Sequence, residues 1–172
     1  MFEQDSLIVY AGSGVCRVGS VGKLARPVPG QDKERLYYTL VPVYGGGVVY
    51  VPVDTAVFMR PVMDAQQADA LIDALPETPL LAPGSGDYRQ QAEQYRAILR
   101  TYRAEDLAQL LKTLWQRQKE YRARGKALGK VDRQFLQMAQ QFLFEELACA
   151  LGIGVDAVGA YIQRRLAPVL PE

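Results

Sequence analysis

Over residues 1–62 the apolar positions come in short, dense runs. Residues 7–10, 14–21, 36–43 and 48–53 are rich in Val, Tyr, Leu and Ile, and AGSG, RPVPGQDKE and YGGG separate them. Such runs between turn residues predict the strands of a small antiparallel sheet or barrel. Gly45, Gly46 and Gly47 suit a hairpin turn that needs positive φ. Pro52, inside VVYVPV, marks its strand as an edge, because proline has no N–H to give to a ladder.

After Arg60-Pro61-Val62 the period becomes helical. Asp64 is placed to cap a helix carrying Ala68, Leu71, Ile72 and Leu75, and Pro76, Pro79, Pro83, Gly84 and Gly86 then predict a loop. A second helix starts at Asp87 with Tyr88, Ala92, Tyr95, Ile98 and Leu99, and a third carries Leu107, Leu110, Leu111, Leu114 and Trp115. QRQKEYRARGKALGK (116–130) reads as a basic turn broken by Gly125 and Gly129. A fourth helix over about 131–151 carries Phe135, Met138, Ala139, Phe142, Leu143 and Leu147 and stops at Gly152 and Gly154, and a fifth runs from Asp156 to Arg165 before Pro168. The fold class is therefore α+β in two modules, a β module over 1–62 and an all-α bundle of about five helices over 63–172.

Composition narrows the chemistry. With 172 residues, 49% of them hydrophobic, the chain has enough apolar material for two small cores. No apolar run reaches the roughly 18 residues of a spanning helix, and MFEQDSLIVY lacks the order of a signal peptide, so the cytoplasm is the expected compartment. There is no histidine, which excludes His-based triads and His-rich zinc sites. Cys16 and Cys149 read as buried free thiols, with a disulfide as the alternative. No Walker loop, dinucleotide fingerprint or Gly-x-Ser-x-Gly elbow is present, and Glu145 and Glu146 are adjacent in a helix, where neighbours do not face each other. No cofactor is expected, and a non-enzymatic role is. The net charge of +1 conceals a local excess: 89–133 holds twelve Lys and Arg against five Asp and Glu, whereas 1–62 holds six against five. Clustered positive charge of this kind is what phosphate backbones attract.

The ordered motifs resemble a known family. Phe2 to Val18, with Tyr10, Gly12, Gly14, Val15 and Val18, resembles F-x-x-G-D-x-V-V-Y-P-x-H-G-V-G-x-V of the CarD/CdnL transcription regulators, whose first module resembles the polymerase-interacting domain of transcription-repair coupling factor. Leu36-Tyr37-Tyr38-Thr39-Leu40, Val51-Pro52-Val53-Asp54-x-Ala56 and Met59-Arg60-Pro61-Val62 continue the likeness. So do Leu107-Ala108…Leu114-Trp115-x-Arg117 and Phe135-Leu136-x-x-Ala139…Leu143-x-x-Glu146-Leu147-Ala148. Departures fall in turns: Gly-Asp is Asp5-Ser6 here, Y-P-x-H is Tyr10-Ala11-Gly12-Ser13, and the connection before Leu36 is longer.

The resemblance implies a Tudor-like first module that holds the β subunit of RNA polymerase through one exposed strand, here Val48, Val49, Tyr50, Val51 and Pro52, with Arg26 near a second basic contact position. Tyr50 stands where relatives often carry a cation, and it also reads as an ordinary strand residue. The second module is implied to lie on promoter DNA at the upstream edge of the melted bubble, largely without sequence preference. The family's tryptophan wedge corresponds to Tyr88; its spacing to Ala92 and Tyr95 equally fits a buried face. Arg89 is the one cation beside it, since Gln90, Gln91 and Glu93 replace basic positions. Arg117, Lys119, Arg122, Arg124, Lys126, Lys130 and Arg133 are the candidate phosphate contacts, or else a solvated surface. Trp115 reads as core, and Arg164 and Arg165 as charges suited to a helix C-terminus. The resulting expectation is a cytoplasmic bacterial transcription regulator, nucleoid-associated through polymerase. The alternative is a polymerase-bound adaptor whose helices bind another protein.

Overall fold

The computed structural model describes residues 1–26, 29–82 and 86–167; Pro83, Gly84 and Pro168, read above as loop and stop, lie outside the described residues. The chain divides into two compact units, Met1–Val62 and Met63–Glu172.

The first unit is a five-stranded antiparallel sheet of β1 (Leu7–Tyr10), β2 (Gly14–Gly22), β3 (Tyr37–Pro42), β4 (Val49–Pro52) and β5 (Met59–Pro61), in the order β4-β3-β2-β1-β5. Alternation puts Ile8, Cys16, Val18, Tyr38, Leu40 and Val51 on one face, where they form a small core. Cys16 is a free thiol within it, and burial raises its pKa. β5 goes beyond the sequence reading: three residues ending in proline carry almost no strand signal, and pairing with β1 (Ile8↔Pro61, Val9↔Arg60, Tyr10↔Met59) creates the strand. Of the three turn glycines only Gly47 takes positive φ, +83°, so the β3–β4 connection needs glycine at one position rather than three. Asp5 stands where the family motif has glycine and has φ +68°; its N–H donates to Val18 O at 2.7 Å. The motif glycine thus marks a left-handed position, and Asp is among the few residues that adopt it at modest cost.

Among the described residues the second unit contains five α-helices. In α1 (Ala65–Ala74) Asp64 accepts from the Gln67 N–H at 2.7 Å while Gln67 Oε1 accepts from the Asp64 N–H at 2.9 Å, a complete capping box. A 3-10 turn (Leu75–Glu77) follows, held by Lys112 Nζ donating to the carbonyls of Pro76 and Thr78. α2 (Tyr88–Leu99) is capped by Asp87, which accepts from the Arg89 N–H. α3 (Ala104–Ala123) buries Leu107, Leu110, Leu111 and Leu114, each contributing roughly 1.5–3 kcal/mol relative to exposure. α4 (Lys130–Leu151) ends at Gly152, φ +66°, and α5 (Val155–Leu166) buries Val158, Ile162 and Leu166 at every fourth position.

Three expectations need correction. Residues 116–123 are helical, not a turn: Gln, Arg, Lys, Glu and Ala are good helix formers, and nothing breaks the helix before Gly125, φ +70°. Met138 and Phe142 are exposed, because the buried stripe of α4 runs through Phe135, Ala139, Leu143 and Leu147 and leaves them about 100° off it. Arg165 does more than meet a helix dipole. It forks onto Asp73 of α1 at 2.7 and 2.9 Å, while Tyr161 donates to Asp69, so three hydrogen bonds clamp α5 to α1. Among the described residues no helix is long and apolar enough to cross a membrane.

Candidate functional site

β4 is an edge strand, and its bonding phase follows from one main-chain hydrogen bond. The Val53 N–H donates to Leu36 O at 3.0 Å, and the register pairs Val51 with Tyr38 and Val49 with Leu40. Antiparallel ladders alternate, so Val49, Val51 and Val53 bond inward to β3 while Tyr50 and Pro52 direct their main-chain groups away from the sheet. Pro52 therefore loses no ladder bond, and its carbonyl accepts from the Thr55 N–H. The Tyr50 N–H and C=O point outward, beside an exposed ring. Of the sequence candidates, Val49 is half-buried and Val51 belongs to the core, while Val48 and Tyr50 are exposed. Arg26 is exposed in the β2–β3 connection, so the structure does not place it on β4.

In the helical unit, Tyr88 opens α2 and is 71% exposed, whereas Ala92 and Tyr95 are buried. The buried-face reading of Tyr88 is thereby removed: the N-terminal turn of α2 projects beyond the packed part of the helix. Lys119, Arg122, Arg124, Lys126, Lys130 and Arg133 are all exposed around the α3–α4 connection, and none makes an ion pair among the described residues. Arg89 is exposed beside Tyr88, while Glu93 pairs with Arg96 at 2.8 Å.

Arg117 is the exception in the basic set. Its guanidinium turns inward, donating to Asp132 Oδ2 and to the Tyr95 hydroxyl, both at 2.9 Å. Tyr95 in turn donates to Asp132 Oδ1 at 2.8 Å and accepts from Gln91 Nε2 at 3.0 Å. Asp132 is 6% exposed and Tyr95 2%, so this is a buried network that ties α2, α3 and the first turn of α4 together. Its role is positioning. Tyr88 stands two turns, about 10 Å along the axis, before Tyr95 on nearly the same face. Tyr95 ends on Asp132, two residues from Lys130, so the aromatic candidate and the basic connection are held by one set of bonds. The sequence did carry a signal for it, since Asp132 lies on the same α4 stripe as Phe135 and Ala139. Trp115 packs half-buried at the edge of the core against Phe144 and donates to Gln140 Oε1. Glu146 is buried and accepts from the Met63 N–H, whereas Glu145 is partly exposed, so the two carboxylates do not act as a pair.

Burial first, and then the bond to Asp132, push the Tyr95 phenol up to about 12. A pKa raised in the folded state favours the protonated form. The stability that Tyr95 contributes is complete below its unfolded value of about 10 and is lost as pH rises through about 12. Denaturant midpoints of the wild-type chain therefore fall more steeply between those values than midpoints of Tyr95→Phe. Parallel slopes for the two proteins would remove Tyr95 from the alkaline transition.

The β unit, with its single outward-directed tyrosine on an edge strand, corresponds to a described domain: residues 2–63 match the model of the CarD-like/TRCF RID domain. The N-terminal unit is similar to that domain over nearly its whole length. A comparison with curated proteins finds no match. The RID assignment covers the whole sheet and supports an RNA-polymerase-interacting module. The RID match ends as the helical unit begins.

Proposed function

We propose that this chain is a non-enzymatic bacterial transcription regulator that binds the RNA polymerase β subunit through the β4 edge of its RID domain. Its helical unit lies on promoter DNA and stabilises the open complex, with Tyr88 at the upstream edge of the bubble. It acts in the cytoplasm, at the nucleoid, through polymerase. The observation that carries the DNA half is the exposed aromatic ring at the first turn of α2. Flat or apolar side chains in that setting insert at base steps and hold opened DNA. The six exposed cations around the α3–α4 connection supply phosphate contacts that are independent of sequence and weakened by salt.

The test is open-complex lifetime in a reconstituted transcription assay. Tyr88→Ala is expected to shorten it by at least about threefold, with polymerase binding unchanged. An unchanged lifetime refutes the wedge. The second reading, an adaptor whose helices bind a protein, is favoured by the inward turn of Arg117 and by Gln90, Gln91 and Glu93 around Tyr88. Salt-dependent binding of the full chain to fork-junction DNA separates the two: it is present for the regulator and absent for the adaptor.

A further inference from the structure

An open cavity of about 510 Å³ lies inside the helical unit, between the 3-10 turn and helices α3, α4 and α5. That is the size of a pocket for a small organic molecule. Its walls are mostly apolar: Leu75 and Pro76 of the turn, Phe144 of α4, and Ile162 and Leu166 of α5. Trp115 adds an aromatic side, with its ring centroid 6.2 Å from that of Phe144 and its N–H donating to Gln140 Oε1 at 3.2 Å. The polar share comes from the neutral amides of Gln118, Gln140 and Gln163 and from one charge, the Lys112 ammonium.

Lys112 gives the cavity its sign. The ammonium has three donors and spends two, on the carbonyls of Pro76 at 2.8 Å and Thr78 at 2.6 Å. It is half-buried and, among the described residues, has no carboxylate partner. No Asp or Glu among those residues lines the cavity. A second hollow shares Gln118, Gln140 and Phe144 with it and adds Arg133, again without a carboxylate. One donor and an uncompensated positive charge therefore stand at an apolar wall, where a partly desolvated cation gains most from an anion.

Gly159 is an independent sign that the space is kept open. It stands in the interior of α5, where glycine costs stability relative to alanine. Its backbone is not left-handed, and a Cβ there would meet only Phe144 Cε2, at 3.9 Å, an ordinary contact. Neither backbone nor packing demands the glycine. Its effect is to lower the α5 wall of the cavity.

We propose that this cavity binds an amphiphilic monocarboxylate, with the carboxylate on the third Lys112 N–H and the apolar body against Trp115, Ile162 and Leu166. Trp115 is the only tryptophan of the chain, so its fluorescence reports on this cavity alone. The experiment titrates the full chain with decanoate, decanol and decylamine below micelle formation; the three share one apolar body and differ in the head group. Decanoate is expected to shift Trp115 emission saturably, with helicity unchanged, and to bind at least about tenfold more tightly than the other two. Absence of a shift overturns the proposal. So does equal binding of decanol, which would show an apolar groove with no preference for anions. Lys112→Met is expected to weaken decanoate by about tenfold and to leave decanol unchanged. Because Lys112 also holds the 3-10 turn, Gly159→Leu provides a second variant: it fills the cavity from α5 and is expected to abolish decanoate binding. Unchanged decanoate affinity in either folded variant places the ligand elsewhere and overturns the proposal.

Discussion

Arg117→Ala is expected to destabilise the helical unit by about 3–5 kcal/mol, nearer the lower figure because the Arg117 side chain keeps 24% exposure. The cause is what remains after the guanidinium is gone. Asp132 is buried, with Tyr95 as its other hydrogen-bond donor, and one neutral hydroxyl does not compensate a carboxylate out of water. Replacing both charges by apolar residues of similar size, Arg117→Met with Asp132→Leu, is expected to cost less than the single change, because no buried charge is stranded. Urea unfolding of the three proteins checks this. A single variant within about 1 kcal/mol of wild type would mean that water, rather than Arg117, satisfies Asp132. The same experiment bears on function, since the network sets how α2 meets the α3–α4 connection. Arg117→Ala would weaken a DNA effect through misplacement of Tyr88 and Lys130, with no phosphate contact of its own to lose.

Tyr50→Pro is expected to reduce polymerase binding by at least about tenfold while leaving the RID fold intact. The substitution is chosen from the bonding phase of β4. Position 50 has the same outward phase as Pro52, so proline there removes no bond to β3, and the native chain already tolerates the ring two residues on. It does remove the one outward N–H that an added strand needs, together with the aromatic ring. Affinity measured by surface binding to core polymerase, alongside the thermal midpoint, separates the two effects. Full binding with an unchanged midpoint would move the docking surface away from β4.

Much of this architecture was legible in the residues themselves. Asp64, Asp87 and Gly152 mark helix ends because their short side chains, or the lack of one, satisfy backbone groups that no helix satisfies internally. Pro52 announced an edge for the same kind of reason. What was not legible depends on contacts distant in sequence. β5 exists only because β1 offers it a ladder. The length of α3 was obscured because a polar helix surface and a polar loop share a composition. Arg117 looked like its six basic neighbours, and only Asp132, fifteen residues on and inside an apolar stripe, distinguishes it. A charged residue on the buried stripe of a helix is the sequence signal for such a partner, and Glu146, on the same side of α4, is the second instance.

Pro52 has a further consequence for how anything pairs with β4. A docked strand that slid one dipeptide toward the base of the hairpin would meet a residue with no N–H and a carbonyl already taken by Thr55. Movement in that direction forfeits both main-chain bonds at once, so the ring acts as a stop on sliding. It would confine an added strand to Tyr50 and the apolar turn end of the hairpin. Main-chain pairing at this edge is thereby confined to the turn side of Pro52, and side-chain complementarity is left to choose the register there.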